Sequence, residues 1–193
     1  MLPISTHRSI RWALLLTAML IIPLTANQAV AQESASTLSL ADGKLQLTAP
    51  ESWERKRPAV SIIEYEFAIP PSKGDTNPGR LTVMGAGGSV EANIDRWYAQ
   101  FSQPDGGSSK DRAKVKKLDV AGQEVHLVDV SGTFKDQRGP MSPAVERPKY
   151  RMLAAIIATK AAGNYFIKLY GPEQTMAENE KAFVAMIEGM KAK

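Results

Sequence analysis

The stretch YFIKLYGPEQTMAENEKAFVAMIEGMK, Tyr165 to Lys191, decides how the rest of the chain is read. Tyr165, Ile167 and Leu169 alternate with other residues at the period of a strand. Gly171 and Pro172 close that strand, because proline offers no ladder donor and glycine accepts turn dihedrals. Thr175 followed three residues later by Glu178 predicts a capping box at the start of a helix. Met176, Phe183, Met186, Ile187 and Met190 then recur at helical spacing as one apolar stripe. A strand and an amphipathic helix joined so tightly must share a core, and the methionines read as part of it rather than as an adaptable binding face.

Working outward, the other segments are mostly strands in hairpin-length neighbours. Lys44 to Thr48 alternates and stops at Ala49-Pro50, with Trp53 just beyond. Val60 to Ile69 places Ile63, Tyr65, Phe67 and Ile69 on one face and Glu64 and Glu66 on the other, the pattern of a strand wet on one side. Pro70 to Arg80 carries the signals of a long exposed loop. Leu81 to Met84 runs into Gly85-Ala86-Gly87-Gly88-Ser89, where Ser89 is placed to cap a helix striped by Val90, Ile94, Trp97, Tyr98 and Phe101. Ala113 to Val120 and Gln123 to Thr133 form a hairpin around Ala121-Gly122. Phe134 to Lys149 reads as a proline-rich loop, and Tyr150 to Thr159 as an apolar strand. The fold class is α+β: a mostly antiparallel sheet of about six to seven strands flanked by amphipathic helices.

The 193 residues divide unevenly. His7, Arg8 and Arg11, the apolar run Trp12 to Leu24 and the small residues Ala29-Val30-Ala31 make residues 1–31 a signal peptide. Residues 32–42 read as a flexible linker, and residues 43–193 as a single α+β domain. The apolar run falls short of the ~20 residues of a membrane span, so an uncleaved anchor is the lesser alternative. The expected address is extracytoplasmic, periplasmic or secreted, with no membrane span after cleavage near Ala31. The formal charge of +4 includes two arginines of the leader, Arg8 and Arg11, so the remainder is nearly balanced, which argues against nucleic acid as a partner. The absence of cysteine excludes disulfides, thiolate metal sites and a cysteine nucleophile.

No complete catalytic constellation is present. Gly87, Gly88 and Ser89 are a weak anion-site candidate, since glycines bare the backbone and a helix N-terminus favours an anion, but no P-loop lysine follows and close packing explains the glycines as well. His126 is the one histidine outside the leader; Asp129, three residues on, falls on the opposite strand face, so neither a triad nor a two-histidine metal site is available. Glu64 and Glu66 are paired carboxylates whose acid–base use would need a cleft. Arg55-Lys56-Arg57 and Lys110, Arg112, Lys114, Lys116 and Lys117 are basic clusters that suit a solvated face.

The strand ending at Ala49-Pro50 before Trp53, the helix bearing Ile94, Trp97 and Phe101, and the strand–Gly171-Pro172–helix close together resemble the PsbP-like α/β/α sandwich. That is the fold of the extrinsic photosystem subunit and of a small Ran-binding import factor. The resemblance implies docking onto partner proteins rather than catalysis, and it transfers no site residues. The expected function is an exported, non-enzymatic binding or scaffold domain, with no cofactor, for another protein or an envelope component. Phe134, Asp136, Arg138 and Arg147 are the expected contact residues. One alternative is a hydrolase or metal-dependent enzyme that joins His126 to Glu64 or Glu66, and another is a carrier of a lipid or other apolar ligand.

Overall fold

The computed structural model describes residues 36–137, 142–159 and 162–193. Its centre is the pair β9 (Val145–Thr159) and β10 (Gly163–Pro172). In β9, residues Met152 to Ile157 are all buried, as expected of a strand covered on both faces. Around this pair the main sheet runs β3 (Glu54–Lys56), β4 (Tyr65–Ile69), β5 (Gly79–Ala86), β10, β9, β8 (Gln123–Asp136), β6 (Phe101–Ser102), with β7 (Lys114–Val120) also on β8. The strand pairings are antiparallel. A second sheet joins β1 (Thr37–Leu40), β2 (Leu45–Thr48) and β11 (Lys191–Ala192).

The architecture is therefore α+β and mostly antiparallel, with more strands than the alternation alone resolves. Thr37–Leu40, within the stretch read as a linker, is strand β1, and Leu38 and Leu40 are fully covered. Their alternation with Thr37 and Ser39 is a strand pattern too short to stand out among small polar neighbours.

Helix α3 (Glu173–Glu188) and the small sheet cover the inner face, where Met176, Phe183, Met186, Ile187 and Met190 meet Leu38, Leu47, Phe67, Leu81, Ile157 and Ile167. Helix α1 (Val90–Tyr98) lies on the outer face, with Ile94 and Trp97 against Val128, Ile156 and Phe166. The short α2 (Ser109–Arg112) precedes β7. Among the described residues there is no helix long and apolar enough to cross a membrane.

Three local expectations change. Helix α3 starts at Glu173 rather than at Thr175, and its N-cap residue is Pro172. Asp75, from the loop after β4, accepts from both the Thr175 amide (2.9 Å) and hydroxyl (2.5 Å). Glu178 reaches Ser72 Oγ instead of closing a capping box. The segment after β4 is the exposed loop expected, and through Ser72 and Asp75 it also anchors α3. Val60 and Ile62 stand outside β4, and both are more than half exposed. Finally, both ends of the segment read as the loop Phe134 to Lys149 are strand: β8 continues to Asp136 and β9 begins at Val145.

The β7–β8 turn is as expected. Ala121 (φ 52°) and Gly122 (φ 72°) both take positive φ, which a two-residue hairpin turn of the primed type requires. Gly171 and Gly79 face each other where β10 and β5 cross beneath Met176, and a Cβ on Gly171 would come within 2.8 Å of the Gly79 Cα.

Candidate functional site

Cross-strand register sets out a row of side chains on the outer face. Lys56 lies opposite Glu66, Glu66 opposite Thr82, Thr82 opposite Lys168, and Lys168 opposite Ala154. The next row is Ala68, Arg80, Tyr170 and Met152. Residues directly opposite share a face, so both rows look the same way. Beyond them the β8–β9 ladder slips between Gly132 and Phe134, which brings Phe134 opposite Arg147.

The result is a shelf of aromatic and charged side chains. Phe134 is buried, at 5.1 Å from the Tyr170 ring, 5.2 Å from Phe101 and 6.1 Å in a stacked geometry from Tyr150. Arg147 pairs with Asp136 at 3.5 Å. Arg80 grips Glu66 with two hydrogen bonds, 2.9 and 3.0 Å, and donates a third to the Tyr170 hydroxyl at 2.8 Å. That carboxylate holds the Arg80 guanidinium charged against the burial that opposes it. Burial raises the hydroxyls of Tyr170 and Tyr150 above the usual tyrosine range. Lys168, half-buried, donates to Gln100 Oε1 at 2.8 Å and lies 5.4 Å from the centre of the Tyr170 ring. Burial, then the neighbouring Arg80 charge, lowers its ammonium to about 8.

Of the expected contact residues, Phe134, Asp136 and Arg147 come together on this shelf, while Arg138 lies outside the described residues. Glu66, expected to face water, is instead the clamped partner of Arg80, and its side chain is 17% exposed. Arg80, Lys168, Tyr150 and Tyr170 were not singled out as site residues in the sequence. Tyr170 and Lys168 do face away from the Tyr165–Leu169 stripe, which was the available signal, but their neighbours come from distant strands.

At Gly87, Gly88 and Ser89 the backbone is open on one side, since a Cβ on Gly87 would meet nothing within 4 Å. Ser89 Oγ accepts from the Ala92 amide, and the carbonyl oxygen of Gly88 accepts from Asn164. One amide of the helix start is thus capped by a side chain. His126 sits beside Glu124, its Nε2 2.7 Å from Oε1, while Asp129 turns to the other face and binds Arg151. The Glu64 carboxylate accepts from the Gly85 amide at 3.0 Å and the Glu66 carboxylate from Arg80, both on β5, which lies three strand spacings from β8 and His126. At about 4.8 Å each this is ~14 Å. His126 therefore shares no site with either glutamate. Among the described residues no group of three His, Asp or Glu side chains could hold a metal ion.

Two surface clefts lie elsewhere. One, about 410 Å³, adjoins the end of α1 between Tyr98, Phe101 and Ser108. The other, about 710 Å³, runs between α3 and the β8–β9 ladder, with Arg151 on its floor bound to Asp129 and Glu180. Their linings mix polar and apolar side chains. The basic cluster of β7 occupies an outer strand, with Lys114 to Lys117 exposed.

No family model and no curated protein matches this chain. Solved structures resemble it in fold. A cyanobacterial PsbP from Synechocystis is 12% identical, with 89% of this chain and 99% of that chain covered and a TM-score of 0.46. A Pseudomonas aeruginosa protein of unknown function is 13% identical over 79% of this chain and 92% of its own, at 0.44. The Saccharomyces cerevisiae Ran-binding protein Mog1p is 10% identical over 81% and 94%, at 0.46. The likeness is one of fold, PsbP-like in arrangement, and no residue role is carried across.

Proposed function

We propose that this chain is an exported, non-enzymatic binding or scaffold domain that docks a partner protein on the outer-face shelf. The observation that carries the reading is the convergence of Phe134, Tyr150, Tyr170, Arg80 and Arg147 on one sheet face. Tyrosine and arginine in a well-packed cluster are the composition of interface hot spots, because each buries much area at a small entropy cost. The ~14 Å gap between His126 and the paired glutamates supports binding over hydrolysis, since acid–base partners must lie within hydrogen-bond reach. The leader-like residues 1–31 support export, and the mature chain beginning at Gln32 is the form that works.

The test is cross-linking in native extracts with mature protein whose N-terminus is first fixed by intact mass. A protein captured by wild type and lost by both Tyr150→Ala and Arg147→Ala, yet retained by Lys116→Ala on β7, is the expected result. Retention of every captured protein by both shelf variants would refute the docking surface. A mass that includes residues 1–31 would refute cleavage.

A further inference from the structure

Charge and partner match everywhere on the shelf except at Lys168. Among the described residues of this face, Lys56 pairs with Glu54 at 2.6 Å, Arg80 with Glu66 at 2.9 Å and Arg147 with Asp136 at 3.5 Å. Lys168 alone of these cations has no carboxylate among its hydrogen-bond partners and donates instead to the Gln100 amide oxygen. It stands on β10, with Thr82 and Ala154 as its row neighbours and the Arg80 cation nearby. A charge taken partly out of water without a counter-ion is unfavourable, and an apolar side chain of similar length would avoid that cost. The donors that remain point to what would offset it. The ammonium has three N–H groups, of which Gln100 takes one. The Tyr170 hydroxyl accepts from Arg80 and keeps its own proton to donate.

We propose that the shelf receives an acidic side chain of a partner polypeptide, whose carboxylate is bound by Lys168 Nζ and the Tyr170 hydroxyl. This rests on the reading of the shelf as a docking surface. A polypeptide is favoured over a free small acid because Lys168 and Tyr170 stand in adjacent cross-strand rows of a sheet face, beside Arg80 and the Phe134–Tyr150 ring pair. A small ligand is normally held in a concavity, whereas a sheet face bearing arginine and tyrosine suits a protein surface.

The probe is a fluorescein-labelled hexaglutamate peptide, titrated into the mature protein at neutral pH and low salt and followed by anisotropy. Lys168→Met should weaken binding at least tenfold and Tyr170→Phe several-fold, with Lys116→Met within twofold of wild type. Acetate at equal carboxylate concentration should leave the peptide bound. In the wild-type protein, the ε-carbon resonance of Lys168 should move on peptide addition, a readout independent of whether any variant folds. The proposal is overturned by an unmoved resonance, by undiminished binding to Lys168→Met, by equal losses at Lys116, or by displacement with acetate. Loss of a captured partner from Tyr150→Ala together with an unmoved Lys168 resonance would leave the docking surface standing and remove only the carboxylate. A moved resonance with every partner retained by the shelf variants would do the reverse.

Discussion

Lys168 changes the pH dependence of the whole fold. Its folded value near 8 lies below the ordinary 10.5 that the unfolded chain restores, because burial and the Arg80 charge disfavour the ammonium. Below pH 8 both states hold the proton and the fold carries the full penalty. Between about 8 and 10.5 the folded chain releases the proton while the unfolded chain keeps it, so stability rises with pH through that window. Gln100, Tyr170 and, across Thr82, Glu66 also face this group, and burial raises the Tyr170 hydroxyl above its usual range. Urea midpoints at pH 7.5 and pH 10, compared between wild type and Lys168→Met, should diverge, with each unit of displacement worth about 1.4 kcal/mol. A difference that stays flat across the two pH values would contradict the burial argument. A second residue-scale prediction concerns Asp75. Because it accepts from the Thr175 amide and hydroxyl, Asp75→Ala should cost about 1–2 kcal/mol by chemical denaturation, and Glu178→Ala much less.

Among elements, the junction of β10 and α3 shows how closely the closing strand and helix are fitted. Gly171 approaches Gly79 across the sheet edge while Met176 packs over both. Gly171→Ala should therefore lose about 1–3 kcal/mol, as overpacking a close backbone contact does, with a lowered melting temperature as the readout. The strand, the helix and the methionine stripe were legible in Tyr165–Lys191 because each rests on local periodicity. The cap was not, because Asp75 is 100 positions away from Thr175 and no local pattern encodes that meeting. The hairpin formed by β8 and β9 was hidden for a related reason. Its proline-rich stretch looks like a loop, and the bulge between Gly132 and Phe134 absorbs Pro148 and a positive-φ Lys149 without ending the ladder.

At the scale of the whole molecule, two apolar clusters flank a single sheet. Trp53 belongs to the α3 side and Trp97 to the α1 side, and both clusters are built on alternate residues of the same strands β9 and β10. Neither side can come apart while the sheet remains paired at no cost to the other, so unfolding should be one transition. Single-reporter variants, Trp53→Phe and Trp97→Phe, each measured in a background with Trp12 absent, should give coincident fluorescence and circular-dichroism midpoints. Separated midpoints would mean that the two sides unfold independently. Deleting the Phe183 side chain to alanine should cost about 3–5 kcal/mol, whereas Ile62→Ala, at a site 59% exposed, should fall within ±0.5 kcal/mol.

Alternation and helical spacing, both local, determined from the sequence alone that this is an antiparallel α+β fold closed by Tyr165–Lys191. The tertiary structure alone decided which charges meet. Glu66 and Arg80 are 14 positions apart, Arg80 and Tyr170 are 90, and Lys168 and Gln100 are 68. Strand register brings these groups onto one face, and register is fixed by the packing of both sheet faces at once rather than by any segment's own pattern.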